Sequence, residues 1–444
     1  MKIQKNTLKS FKKIIPLILF LFFILILITT TKNTIGSPND ASRIATIKNL
    51  VEEKTLNINK TNYGPYDIIK REGNFYSSKP PILSVAGSGI YYLIYNFLNL
   101  KLPDHNQPTE PNTAYYLITL FLVGIPYLLL LFYFYKTLKM FKINEFHKML
   151  LTSGLGLGTL YLSYSGTLNN HIPAGSFLFI SFYYLLKTKF NAQNKNNKIY
   201  IALSGFFASL SAVIDLPTGL TFLVLFFFYY YLTNQGKNLS YYVLAAVPLI
   251  LIHLFLNIQI TGDVLPAQFH QDYYKFENSY WLKTEGIDSY NDPRLLYSFN
   301  ILIGSHGLLF YNPLLILALY GIFKAIRDRS QFKKEAVITM IGFSIIFLYY
   351  TLKVRSYGGS SYGFRWFITI TPLIYFYTIL LFTNEKYIRL RNFFLPLFIL
   401  SLLITFTGLL APWTATSIIL ENGENLIRIN SSFFVNFFRF FIFK

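Results

Sequence analysis

The chain has 444 residues, of which 53% are hydrophobic and only 14% charged, with a mean hydropathy of +0.40. Too few polar side chains are present to cover so much apolar surface in water, which excludes a soluble globular protein and implies an integral membrane protein. The net charge of +20 invites a nucleic-acid reading, but most of the excess lies in short loops between apolar runs, the positive-inside pattern, so nucleic acid is not expected as a partner. Cysteine is absent, which rules out disulfides and thiolate metal sites.

Lys2, Lys5, Lys9, Lys12 and Lys13 precede the first apolar run, Ile14 to Thr31. The run is long enough to span and no small-x-small cleavage pattern follows closely, so a retained signal anchor is expected. Further spans are predicted at roughly 113–135, 149–166, 172–187, 199–214, 216–233, 241–258, 299–323, 336–352, 366–383 and 393–411, about eleven in all. The stretch Ile82 to Leu98 is borderline in length and carries Ser84, Gly87, Ser88 and Gly89. If it does not cross, the N-terminus and the basic loops around Lys136–Lys148, Lys187–Lys198, Lys324–Lys334 and Lys386–Arg391 share the cytoplasmic side. The segments 32–112, 259–298, 353–365 and 412–444 then face outside, and 82–98 lies at or dips into the outer interface. The expected architecture is all-α and polytopic, one membrane domain over 1–444, with the C-terminal SSFFVNFFRFFIFK on the outer surface.

Ser37-Pro38-Asn39-Asp40 reads as a helix start, with Ser37 as N-cap, Pro38 in the first turn and Asp40 at the third position of a capping box. Ala41, Ile44, Ala45, Ile47, Leu50 and Val51 form an apolar stripe suited to an interface helix. On spacing alone Asp40 is a helix cap and Arg43, one turn on, its ion-pair partner. Asp215 is expected to cap the span that follows it. His171 and His306 read as isolated interfacial histidines, since a lone His makes no metal site. Lys353 and Arg355 read as loop charge near headgroups, and Asp263, His270, Asp272, Glu277, Trp281 and Arg294 as a solvated loop with sugar contact as the alternative.

Asp40-Ala41-Ser42-Arg43, followed after a gap by Ser78-Lys79-Pro80-Pro81, resembles the first outer loop of GT-C membrane glycosyltransferases of the aminoarabinose transferase and protein mannosyltransferase type. SGTLNNHIPAG (165–175), GSHGLLFYNPLL (304–315) and YGGSSYGFRWFITITPL (357–373) are similar to later segments of that group. Two positions depart from it: Ala41 replaces an acidic residue, and Asn169, Asn170 and His171 stand where a second acidic residue is common.

The resemblance implies a glycosyltransferase on the outer face of the cytoplasmic membrane, with juxtamembrane helices on that face. The donor is a polyprenyl-phosphate sugar and the acceptor a hydroxyl of a lipid, glycan or protein. Asp40 is then the base, kept ionised by nearby cations. Arg43, Lys79 and Arg365 are the donor-phosphate contacts, for which Arg supplies a fork and Lys a point charge. Asn170, His171 and Tyr362 are candidate acceptor or sugar contacts. No cofactor is expected, and no residue is assigned to a metal. A polymerase or ligase using lipid-linked sugars, and a lipid or sugar transporter, are the rival readings. Transporters place ionisable groups at mid-membrane, whereas these spans hold almost none.

Overall fold

The computed structural model describes residues 2–442 apart from 62, 65, 105–109, 191–196, 234–235, 284–291, 355 and 423–424. Helix α1 (Lys2–Thr30) runs antiparallel to the long apolar helix Thr113–Leu138. The Tyr116 hydroxyl donates to the Ile28 carbonyl at 2.8 Å, and the rings of Phe23 and Tyr127 lie 6.2 Å apart, as those of Phe20 and Tyr135 lie 6.1 Å apart. The end of α1 and the start of its partner therefore share one end of the bundle, where the Asn112 N–H donates to the Asn33 carbonyl at 2.6 Å and the Lys32 N–H to the Gly166 carbonyl at 2.7 Å. Gly166 is required there, because a Cβ would sit 2.6 Å from the Thr30 carbonyl oxygen.

The same end collects the other loops that lack basic runs. The Phe364 N–H donates to the His306 carbonyl and the Tyr362 N–H to the Pro412 carbonyl, each at 3.0 Å, and Trp413 Nε1–H donates to Thr167 Oγ1 at 2.8 Å. The opposite end collects the basic loops. Phe141, Phe190 and Phe332 stack edge to face with centroids 5.1 to 5.9 Å apart, Lys189 pairs with Glu335 at 2.8 Å, and the Tyr387 hydroxyl donates to Asp328 at 2.7 Å. We call these the site end and the basic end.

Helix α2 (Pro38–Glu52), the hairpin of β1 (Ile68–Arg71) and β2 (Asn74–Ser77), and helix α3 (Pro81–Leu98) form an excursion from the site end. By length and hydropathy α3 qualifies as a membrane span. Both of its ends, however, are held at the site end. Ile82 packs with Ala174, Val213, Ile214 and Leu256, and beyond the left-handed cap at Asn99 the Lys101 carbonyl accepts from Asn112 Nδ2 at 2.9 Å. Its 18 residues, a rise of about 27 Å, thus lie across the end of the bundle rather than through it.

Helix α2 departs from the interface helix expected of it. Asn39, Asp40 and every residue from Ser42 to Asn49 are buried, so its polar face is covered as well as its apolar stripe. Gly87 of α3 allows the close approach: a Cβ there would meet Ile47 Cδ1 at 2.6 Å. The turn joining β1 to β2 places Glu72 at φ 50 and Gly73 at φ 80, the two positive values of a type I′ hairpin, and β1 pairs antiparallel with β2. This hairpin and a second one, Ile418–Asn422 with Asn425–Ile429, are small β additions to an otherwise helical chain.

Among the described residues six helices, α3 among them, are long and apolar enough to cross a membrane, or seven if the bent pair Glu385–Arg391 and Phe394–Leu410 counts as one span, and Ile15–Thr30 and Leu216–Tyr231 are shorter apolar helices within predicted spans. Hydropathy does not register breaks. The predicted span 149–166 divides around Gly158 into Glu145–Leu157 and Leu160–Tyr164. The predicted span 299–323 divides into Arg294–Leu302, Leu308–Tyr311 and Leu314–Arg327, with Gly304, Gly307 and Pro313 at the breaks. The C-terminal segment is docked rather than laid on a surface. Asn436 donates to the Thr407 and Ala411 carbonyls, each at 2.9 Å, and Ser432 bonds Tyr311 at 2.8 Å.

Candidate functional site

The start of α2 has the local chemistry that its sequence predicts. Ser37 is extended (φ −154, ψ 160), its Oγ accepts from the Asp40 N–H at 3.2 Å, and its hydroxyl donates to Asp40 Oδ1 at 2.7 Å. Asp40 Oδ2 accepts from the Gly36 N–H at 3.3 Å and from the Tyr115 hydroxyl at 3.0 Å. All these donors are neutral. Among the described residues no cation lies within ion-pair distance of Asp40, so the expected Asp40–Arg43 pair is not formed.

Burial decides the charge state of Asp40. The residue is fully buried, which lifts its carboxyl to about 6, against the opposing hydrogen bonds from Ser37, Tyr115 and Gly36; Arg43 opposes least. Desolvation thus outweighs the pull of the nearby cations on this carboxyl, which still leaves it mainly ionised at neutral pH.

Arg43 turns away from Asp40. One Nη donates to the Asn39 carbonyl at 3.2 Å and to Asn39 Oδ1, the other to Asn170 Oδ1 at 3.1 Å, and its Nε–H has no partner. Lys79 follows the hairpin and pairs with Asp67 at 2.7 Å, each side chain 18% exposed. Arg365 donates through Nε to the Gly358 carbonyl at 2.9 Å and holds its guanidinium 4.9 Å from the Trp413 ring, with Nη1 unpartnered. Gly358, at φ 87, is in the left-handed region that lets the turn present its carbonyl. The three cations lie within electrostatic reach of one another. Burial lowers Arg43 to about 10, with Arg365 adding to the drop and Asp67 and Asp40 resisting it. Burial also lowers Lys79, with Asp67 resisting and Arg365 and Arg43 adding to the drop.

Of the predicted contacts, Asn170 is on Arg43 and His171 beside it pairs with Asp215 Oδ2 at 2.8 Å. Asp215 stands at the N-cap of Leu216–Tyr231 but makes no side-chain capping bond; its carboxylate instead accepts from His171 and the Thr369 hydroxyl. Tyr362 does not join the group. It is wholly buried, with its hydroxyl on the Ile404 carbonyl at 2.6 Å and on Thr407. His306 stacks on Tyr357 at 4.3 Å and bonds Ser305. Lys353 is exposed, and Arg355 lies outside the described residues. In the late loop Asp263 pairs with His270 at 3.1 Å, Asp272 with Lys275 at 2.9 Å, and Glu277 and Arg294 are exposed. That loop instead covers the hairpin, through Phe276 on Phe75 and a 2.7 Å bond from Gln268 to the Ser78 carbonyl.

Sequence reasoning missed Asp67 and Tyr115. Each is one polar residue in an unremarked stretch, and only long-range packing brings Tyr115 to Asp40 across 75 positions. It also missed a cavity of about 270 Å³ on the flank of α2, lined mainly by apolar groups, among them Ile35, Ala45, Ile58, Tyr63, Tyr66 and Ile68. Among the described residues no group of three or more His, Asp or Glu side chains is placed to hold a metal ion.

No family model and no curated protein sequence matches the chain. Its fold is similar to that of the Archaeoglobus fulgidus oligosaccharyltransferase, solved in complex with Zn and sulfate, with a TM-score of 0.50 and 14% sequence identity. The match covers 87% of this chain and 53% of that one, so the chain spans about half the length of that protein. The likeness is one of fold: the chain shares with that protein a largely helical architecture that carries several long apolar helices.

Proposed function

We propose that the protein is a glycosyltransferase that moves a sugar from a polyprenyl-phosphate donor to an acceptor hydroxyl of a lipid, glycan or protein. The observation that carries this reading is the pairing, at one end of an apolar bundle, of a buried carboxylate, Asp40, with two buried guanidinium groups, Arg43 and Arg365; among the described residues the carboxylate makes no ion pair and each guanidinium keeps an unpartnered N–H donor. Buried donors without partners are costly, and a bound anion satisfies them. The fold shared with an oligosaccharyltransferase supports a lipid-linked donor. Because the basic loops gather at the opposite end, the positive-inside rule turns the site end to the outer face of the cytoplasmic membrane.

In this reading the donor's polyprenyl chain stays in the bilayer and its phosphate meets Arg43 and Arg365. The acceptor oxygen attacks the anomeric carbon, and the bond from that carbon to the phosphate oxygen breaks, its electron pair leaving with the lipid phosphate. The acceptor proton passes to Asp40, whose raised carboxyl, near the working pH, suits a base that must be both ionised and basic. To reach Asp40 the acceptor hydroxyl replaces one of its three neutral donors. The guanidinium groups stabilise charge that grows on the departing phosphate.

The test is transfer by the purified full-length protein in nanodiscs, supplied with polyprenyl-phosphate sugars and with lipid, glycan and peptide acceptors. Cells with and without the gene are compared in parallel by mass spectrometry of their polyprenyl-phosphate sugars and surface glycans. Transfer that needs Asp40 and Arg43 supports the proposal. Lipid or sugar flux without any transfer overturns it.

A further inference from the structure

Among the described residues Asp67 is the carboxylate in ion-pair contact with a cation of the site. Asp40 is held by Ser37, Gly36 and Tyr115, and Asp215 by His171 and Thr369, so neither contacts Arg43 or Arg365. The fold presents Asp67 deliberately to Lys79. Asp67 precedes β1, its carbonyl accepts from the Ser78 N–H at 3.0 Å, and the tight I′ hairpin returns the chain so that Lys79 lies beside it. Asp67 itself adopts φ 54, a left-handed conformation that Asp tolerates better than most side chains. Its carboxylate also feels Arg43 and Arg365.

Resting on the reading of this site as a donor-phosphate site, we propose that Asp67 determines donor specificity: by holding Lys79 it leaves two guanidinium groups for the ligand and fits the site to a monophosphate-linked sugar rather than a diphosphate-linked one. The argument is one of charge. A polyprenyl-phosphate sugar is a phosphodiester with one negative charge, and its lipid phosphate departs with nearly two. Two guanidinium groups that make no ion pair among the described residues, Arg43 and Arg365, match that growth. A diphosphate-linked donor brings a further charge at the start and at departure. It needs the third cation, which Asp67 occupies, and it also meets the Asp67 carboxylate as a like charge. In both cases the bond broken joins the anomeric carbon to a phosphate oxygen, so Asp67 takes no part in bond making.

The test uses the full-length protein in nanodiscs, with farnesyl phosphate and farnesyl diphosphate as probes and binding followed by calorimetry. The wild type is expected to prefer the monophosphate, and Arg43→Ala to weaken both probes at least tenfold. Asp67→Asn is expected to shift the preference at least tenfold toward the diphosphate, while Asp67→Glu keeps the wild-type ratio. A left-handed φ accepts Asn and Gly, so Asp67→Gly serves as a second charge-free variant that folds at this position. If both charge-free variants keep a ratio within twofold of wild type, or weaken both probes equally, Asp67 only positions Lys79 and the specificity proposal falls while the phosphate site stands. If neither probe binds the wild type, or Arg43→Ala leaves both unchanged, the phosphate site and the proposal fall together.

Discussion

The Tyr115 hydroxyl donates a 3.0 Å hydrogen bond to Asp40 Oδ2, joining the start of the second apolar helix to a carboxylate 75 residues earlier. This bond favours the ionised carboxylate, whereas the burial that Tyr115 helps to create disfavours it, and burial prevails. Asp40 is therefore poised between a structural cap and a base, and experiments can separate the two roles.

Replacing Asp40 with Asn is expected to reduce turnover by ~10²–10⁴ while the protein still binds donor, since a missing base is a loss in the chemical step. Stability is expected to move the other way. The folded carboxyl, at about 6, lies above its ordinary 3.8, so folding favours the protonated form. The stability that this contributes is complete below pH ~4 and lost as pH rises through about 6. At pH 7.5 Asp40→Asn should thus unfold no lower than wild type, with a gain of up to about 3 kcal/mol. Thermal unfolding in detergent at pH 4.5 and 7.5 measures this, and a clear loss of stability at pH 7.5 contradicts the burial argument.

The pH profile of kcat/KM should show an acid limb near pH 6 with the slope of a single proton. Tyr115→Phe removes a donor that lowers the Asp40 carboxyl, so the limb should move to higher pH. A limb that stays in place in Tyr115→Phe assigns the titration to another group.

Arg43 and Arg365 are expected to act on donor binding. Changing either to Ala should raise KM for the donor at least tenfold, a loss of about 1.4 kcal/mol or more. Arg43→Lys should rescue only in part, because a point charge does not reproduce a fork held by Asn39 and Asn170. Full donor affinity in both Ala variants places the phosphate elsewhere.

Topology is testable with single thiols, because the chain has no cysteine of its own. A Cys at Glu110, an exposed residue at the site end, should react with an impermeant maleimide from outside intact cells, and one at Asn144, exposed at the basic end, should not. Labelling in the opposite sense places the site on the cytoplasmic face.

Membrane residence, the division of loops into basic and non-basic sets and the cap at Ser37 were legible in the sequence. Each follows from local composition or short spacing: apolar runs near ~20 residues partition into lipid, Lys and Arg stay with the loops, and a Ser-Pro-Asn-Asp string starts a helix wherever it stands. Charge parity along the chain even argued that 82–98 does not cross, although its length and hydropathy permit crossing. What holds α3 across the bundle end is contact with Ala174, Ile214 and Leu256 at one end and Asn112 beyond the other, which tertiary packing supplied. Packing likewise turned Arg43 to Asn170 instead of Asp40, took Asp215 from capping to His171, and buried Tyr362 against Ile404. It also placed Asp67 on Lys79 through a hairpin that no motif announced. The physical reason is common to all of these. Partner choice for a buried polar group is settled by which donors and acceptors the folded chain brings within about 3 Å, and those partners lie tens to hundreds of residues away in sequence.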